Sequence, residues 1–131
     1  MTLRELVDAI CKKEKWGKEA DGKGFLLTVP QDGGRTQRVH VFEFKDEGAP
    51  HVRFTSVVGA ADGLDAARLK GALELNYRLP HGSLALDGHS LVMTVTRPLG
   101  TTTAATSAAA MRYIAKQADT YEKFIFKTDV H

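Results

Sequence analysis

The sequence has few of the residues that build disulfides or metal sites. Cys11 is the one cysteine among 131 residues, which excludes an internal disulfide and any zinc site made of several cysteines. The five histidines are too scattered for an i, i+4 pair on a helix or a His-x-His pair on a strand, so we expect no metal and no cofactor. These histidines are His40, His51, His81, His89 and His131.

Long apolar runs and a signal peptide are also missing. No stretch of about 18 apolar residues is present that would cross a membrane. The first residues, Met1 to Glu5, include charges where a signal peptide needs an apolar run. We therefore expect a cytoplasmic protein that does not insert into a membrane.

The charge is nearly balanced. Eighteen Lys and Arg against 16 Asp and Glu leave a formal charge of +2, with both signs mixed along the chain. Nothing in this distribution forms a basic patch, so nucleic acid is not an expected partner. With 43% apolar and 26% charged residues, the chain has the composition of a single globular domain over residues 1–131, large enough to bury one core.

Catalytic motifs are missing as well. Gly82-Ser83 lacks the second glycine of a nucleophile elbow, and Gly22 to Gly24 precedes a predicted strand instead of the helix that a phosphate loop needs. No motif places a base near Cys11. We therefore predict a protein that is not an enzyme.

The periodicity of apolar residues predicts the order α-β-β-β-α-β-β-α. The first helix begins at a capping box of Thr2 and Glu5 and ends near Gly17. Asp62 is the predicted N-cap of the second helix. Runs of strands bracketed by helices predict an α+β fold with an antiparallel sheet packed against the helices. The strands are predicted over 25–29, 36–44, 51–58, 83–86 and 89–96, and the later helices over 62–76 and 102–126.

Strict alternation along the strands predicts one face for the core. That face is expected to hold Phe25, Leu27, Val29, Phe42, Phe44, Val52, Phe54, Leu84, Leu86, Leu91, Met93 and Val95. The opposite face is then polar except for Leu26, Val39, Val41, Val57 and Val92. Two interpretations stay open, because scattered surface valines are ordinary whereas a cluster across neighbouring strands marks a contact surface. On this assignment, Val41→Glu should leave the fold intact.

The second helix has more apolar surface than one core-facing stripe requires. Its apolar residues spread over roughly 200° of the helix, and they include Leu64, Leu69, Leu73 and Leu75. Either one side of the helix faces a partner, or the helix is wedged between the sheet and the last helix of its own chain. The best class from residues alone is a self-associating or protein-binding module.

Two segments resemble a known family. The segment NYRLPHGSLALDG at 76–88, followed by a strand over 90–95, is similar to the type III secretion chaperone-like fold. The segment QADTYEK at 117–123 is similar to the Ala-Asp-x-Tyr ending of bacterial members, among them the Tir-chaperone-like and sensory-transduction-regulator groups. The element order extends this resemblance over nearly the whole chain.

The resemblance implies a small cytoplasmic homodimer that binds other proteins through apolar surface and has no enzymatic activity. In the secretion chaperones the second helix and neighbouring strands build the dimer, while the first helix and the sheet hold an extended client segment. Carried onto this chain, the dimer contact would comprise Leu64, Leu69, Leu73 and Leu75, and the client surface Leu26, Val39, Val41 and Val57. The chain departs from the acidic composition of those chaperones, because its pI is near 8.7.

A second class stays open beside the protein-binding module. A small-ligand-binding or uncatalogued enzymatic domain would share only the α+β fold. A pocket lined by His40, His51 or Cys11 would favour that class, since it would bring polar or nucleophilic groups together.

Overall fold

The computed structural model describes residues 1–126 and contains three helices and a six-stranded sheet in that range. In chain order the elements are α1 (Leu3–Glu14), β1 (Gly17–Asp21), β2 (Gly24–Pro30), β3 (Thr36–Asp46), β4 (Ala49–Ala60), α2 (Ala66–Arg78), β5 (Ser83–Asp87), β6 (Ser90–Pro98) and α3 (Ala104–Tyr121). A π-helical turn, Glu122–Phe126, follows α3. His131 lies outside the described residues.

The predicted capping box begins α1. The Glu5 amide donates to the Thr2 hydroxyl at 3.1 Å, and the Thr2 amide donates to the Glu5 carboxylate at 2.9 Å. These hydrogen bonds to Thr2 stabilise the ionised carboxylate and lower the pKa of Glu5. The apolar stripe of α1 is buried, including Leu6, Val7 and Ile10, so the local sequence signal and the packing agree.

Between α1 and β2 the structure contains a strand, β1, that the apolar pattern does not predict. β1 pairs antiparallel with β2 from Gly17 opposite Thr28 to Asp21 opposite Gly24. All five residues of β1 are exposed, so no alternation of apolar and polar residues announces it. The predicted α+β class and antiparallel sheet are confirmed, with the strand order β1-β2-β3-β4-β6-β5.

The sheet has one covered side and one uncovered side. α1 and α3 pack together over the covered side, and α3 contacts β2, β3, β4 and β6. The side chains that face these helices form a core of Leu, Val, Ile, Met and Phe. This arrangement leaves the opposite side of the sheet without a helix among the described residues, and we call that side the open face.

The face assignment of β3 differs from the prediction. Val39 lies opposite Leu27 and Val41 opposite Phe25, and both valines are fully buried on the helix-covered side. Phe42 therefore points to the open face. The predicted placement of Val39 and Val41 on the open face and of Phe42 and Phe44 in the core is wrong. The strand has apolar residues on both sides, so alternation alone does not tell which side meets the helices.

α2 lies beside β5 at the edge of the sheet. Its N-cap is Asp65, whose carboxylate accepts from the Arg68 amide at 2.9 Å, and the predicted cap Asp62 instead falls in a preceding 3₁₀ turn. Ala72 is the one buried residue of α2. The main packing partner of α2 is β5. α2 thus packs mainly on β5 at the sheet edge, with its strongest contacts to that strand instead of to α3.

The end of the described chain closes one corner of the fold. The pairing of β4 with β6 shifts register between Val57 and Gly59. The Phe126 ring lies so close to Gly59 that a Cβ there would approach it to 2.6 Å. A side chain at this position would push the ring away, which explains a glycine inside a strand.

Candidate functional site

The open face joins aromatic, aliphatic and polar side chains from four strands. Phe42 and Val57 are both exposed there, whereas Val92 is covered by its neighbours. We define the open face by Leu26, His40, Phe42, Phe44, His51, Arg53, Thr55, Val57, Val92, Thr94 and Thr96. Antiparallel pairing sets Phe42 beside Arg53 and Arg53 beside Thr96, so these three side chains stand in one row across the strands.

Arg53 is the centre of an aromatic cluster. Its guanidinium carbon lies 4.4 Å from the centroid of the Phe44 ring and 5.9 Å from that of Phe42. The His51 ring stacks on Phe44 with centroids 5.6 Å apart. The Arg53 Nε donates to the Thr96 hydroxyl at 2.9 Å, which holds the guanidinium in place.

A cavity of about 400 Å³ lies beside Arg53, between β4, β6 and β5. It is lined by Phe42, Arg53, Thr55, Ser83, Ala85, Leu86, Asp87, Val92, Thr94 and Thr96, and we call it the Arg53 cavity. Inside it the hydroxyls of Thr55 and Thr94 are 3.2 Å apart, and that of Thr94 donates to the Phe54 carbonyl at 3.1 Å. The cavity therefore offers a cation, a carboxylate and hydroxyls beside apolar side chains.

A neighbouring concavity of about 360 Å³ on the same face is lined by His40. The His40 Nδ1 lies 2.8 Å from an Asp21 carboxylate oxygen. No hydroxyl or thiol within residues 1–126 forms a hydrogen bond with this ring, so the pair lacks the nucleophile of a catalytic triad. Of the three groups that would favour a ligand site, His40 lines this concavity.

The second surface is an apolar groove between α2 and β5. It holds about 400 Å³ and is lined by Leu69, Ala72, Leu73, Asn76, Leu84, Ala85, Leu86 and Leu91. Leu73 is 69% exposed and Leu86 is 59% exposed, while Tyr77 one turn beyond Leu73 is 94% exposed. Large apolar side chains with this exposure, next to each other, are typical of a contact surface. We call this surface the apolar groove.

Asn76 fastens α2 to the outer edge of β5. Its amide nitrogen donates to the Leu84 carbonyl at 2.9 Å, and its carbonyl oxygen accepts from the Leu84 amide at 2.6 Å. The side chain thus makes both hydrogen bonds that a further strand would make at Leu84. It therefore covers part of the sheet edge.

Asn76→Ala is expected to lower the free energy of unfolding by about 2 kcal/mol, because two part-buried hydrogen bonds are lost together. Urea unfolding followed by circular dichroism measures this change. Asn76→Asp keeps the acceptor for the Leu84 amide but sets a carboxylate against the Leu84 carbonyl, so it should be no more stable than Asn76→Ala. A loss below about 0.5 kcal/mol in both variants would show that α2 is held elsewhere.

The structure divides both predicted sets of site residues. Leu69 and Leu73 meet in the apolar groove, whereas Leu64 and Leu75 pack partly buried against the core. Of the predicted client surface, Leu26 and Val57 lie on the open face, but Val39 and Val41 are inside the core, as described above. The main residues that sequence reasoning missed are Phe42, Arg53, Asn76 and Leu86. For Asn76 the signal was its place in the segment at 76–88.

Cys11 sits half-buried against the core, and burial raises the pKa of its thiol. The thiol therefore stays protonated at neutral pH. We expect iodoacetamide to alkylate the folded protein at least about tenfold more slowly than free cysteine near pH 8, with the urea-unfolded chain as the control. Alkylation at the rate of free cysteine would contradict this burial.

The described part of the chain has neither a cluster of metal ligands nor a helix that could span a membrane. Residues 1–126 bring together no group of three His, Cys, Asp or Glu side chains that could hold a metal ion. None of the helices in that range is both long and apolar enough to cross a membrane.

Comparison with known proteins finds similarity at the level of the fold. This chain is similar to a chain in a solved structure of the HopA1-SchA chaperone-effector complex, with a TM-score of 0.63 and 14% sequence identity. The similarity covers 92% of this chain and 92% of that chain. No protein-family model and no curated protein matches the sequence. The chaperone-like fold expected from the resemblance is thereby confirmed.

Proposed function

We propose that this protein is a non-enzymatic, chaperone-like module that holds a segment of a partner protein on its open face. The observation that carries this proposal is the exposure of Phe42 and Val57 on a sheet face that no helix covers within the described residues. An extended segment can lay its side chains across such a face. The fold shared with a chain of a chaperone-effector complex supports the same class of function.

We further propose that the protein is a homodimer in the cytoplasm whose contact is the apolar groove. The apolar groove combines a protruding side chain with the walls that can receive one. Leu73 stands exposed at the rim, and Leu69 and Leu86 line the walls. Under a two-fold axis, Leu73 of each copy can enter the groove of the other, so one surface supplies both halves of the contact. A second copy is therefore the occupant that fits.

Capture of a partner from the source cell tests the proposed use of the open face. The unmodified chain should retain one or more proteins identified by mass spectrometry. The double variant Phe42→Ser with Val57→Ser should lose them, because both side chains are exposed and their loss removes apolar contact area without opening the core.

Leu73→Ser is the matched control for that capture, since it removes one exposed apolar side chain from the groove and leaves the open face unchanged. It should retain the same proteins. Equal retention by the open-face double variant would move the partner site away from the sheet.

One observation favours the alternative, a small-ligand-binding domain. His40, oriented by Asp21, lines a concavity on the open face. On that alternative a small molecule protects His40 from modification, and the partner capture above yields nothing specific.

A further inference from the structure

We propose that the Arg53 cavity binds an acidic side chain of the partner segment, and that Phe42 contacts an apolar side chain two residues away in that segment. This inference rests on the proposed function, since it assigns a chemistry to the segment that the open face holds. It predicts an acidic-x-apolar pattern, in which the acidic residue is aspartate or glutamate.

Arg53 has a positive charge without an ion-pair partner among residues 1–126. Arg38 on the open face is paired with Glu19, whereas Arg53 forms no ion pair with any residue in the range 1–126. Its Nε is engaged by Thr96, and it is half-buried beside the two phenylalanine rings. A half-buried guanidinium with free N–H groups binds a carboxylate through charge-assisted hydrogen bonds, often two in parallel.

Hydroxyl groups beside Arg53 can also donate to a bound carboxylate. The Thr96 hydroxyl accepts from Arg53, so its own hydrogen is available for a ligand oxygen. The hydroxyl of Ser83 lines the same cavity. A carboxylate placed there can accept from both the guanidinium and a hydroxyl, and the volume of about 400 Å³ leaves room for a side chain together with water.

The distance between Arg53 and Phe42 is close to the spacing of alternate side chains in an extended segment. Their guanidinium carbon and ring centroid are 5.9 Å apart in a row that crosses the strands. In an extended segment, side chains at positions i and i+2 point the same way and are separated by about 6.7 Å. A segment that crosses the strands therefore sets one side chain on each group, and the residue between them points to solvent.

The surrounding carboxylates favour a peptide over a nucleic acid. Asp21 and Asp87 line the open-face concavities, and Glu19 stands on the outer strand of the same face. A polyphosphate backbone that followed this face would meet those negative charges, and Arg53 alone would not offset them. Of these three carboxylates Asp87 alone lines the Arg53 cavity, so a single carboxylate seated on Arg53 meets fewer negative charges than a polyphosphate would.

Selection from a displayed library of random peptides, followed by binding measurements, tests the inference. The purified full chain should enrich peptides that contain an acidic residue two positions from an aliphatic or aromatic one. For an enriched peptide, replacing the acidic residue by its amide should weaken binding about tenfold, because a charge-assisted pair becomes a neutral one. This comparison changes the peptide alone and does not depend on any variant of the protein.

Variants locate the effect. With Arg53→Gln, the acidic and amide peptides should bind equally, whereas Arg53→Lys should keep a reduced preference because the charge remains and the planar fork is lost. Arg97→Gln is the matched control: it makes the same charge change next to Thr96 in sequence, on the other side of the sheet. It should retain the full tenfold preference.

Three results would overturn the inference, and they are distinguishable. If the enriched peptides bind equally well in their acidic and amide forms, Arg53 does not recognise an acidic side chain, but the proposed function still stands. A selection that enriches no peptide removes both. A fluorescent single-stranded oligothymidylate that binds the unmodified chain and Arg97→Gln, but not Arg53→Gln, assigns Arg53 to nucleic acid instead.

Discussion

Val41→Glu is expected to unfold the protein at neutral pH. Val41 is 1% exposed and lies opposite Phe25 on the helix-covered side of the sheet. A carboxylate there would be buried among the apolar side chains of the core, and burying it costs several kcal/mol in addition to the lost packing of the valine. This is comparable with the total stability of a small domain, about 5 to 15 kcal/mol. Far-ultraviolet circular dichroism and urea unfolding measure the loss.

Val57→Glu is the matched control for that variant, because Val57 is 40% exposed on the open face. Its carboxylate stays in water, so the change in stability should be within about 0.5 kcal/mol. The two variants together thus test whether Val41 faces the helices and Val57 faces solvent. A folded Val41→Glu protein together with an unfolded Val57→Glu protein would invert the assignment.

Leu73→Glu is expected to convert the proposed dimer into a folded monomer. In a two-fold contact through the apolar groove the substitution is present twice, so two carboxylates are brought together among leucine side chains. A cost of at least about 3 kcal/mol of association raises the dissociation constant roughly a hundredfold. The monomer should keep its fold, because Leu73 is exposed and contributes little to the core of its own chain.

Light scattering over a hundredfold range of concentration measures this effect. The unmodified chain should have twice the chain mass of 14.3 kDa, and Leu73→Glu should approach a single chain mass. Ala67→Glu is the control, since Ala67 is exposed on the side of α2 away from the groove. An unmodified chain that stays at one chain mass throughout excludes the dimer.

Several elements are determined locally, and for these the sequence analysis agrees with the structure. The Thr2 and Glu5 capping box begins α1, and the turn at 87–89 joins β5 to β6. Such signals depend on residues within a few positions of each other. Their energies are therefore present whatever the rest of the chain does, and the order of helices and strands can be predicted from them.

The candidate site was predictable only in part. Leu26 and Val57 were assigned to the open face by alternation with Leu27 and Phe54, and these two residues are buried in the structure. Phe42 was missed because β3 has apolar residues on both sides. Asn76 was noticed only as part of a turn, since its role depends on Leu84, eight residues away.

By itself, the sequence determined the α+β class, the capping box of α1, the turn between β5 and β6 and the surplus of apolar side chains, because each follows from short-range spacing and composition. Only the tertiary structure decided which side of β3 is buried, that exposed β1 extends the sheet, and that α2 lies beside β5 with a groove between them. The physical reason is that strand pairing selects the buried side. The pairing of Val39 with Leu27 and of Val41 with Phe25 depends on hydrogen bonds between residues 12 to 16 positions apart, which no local pattern encodes.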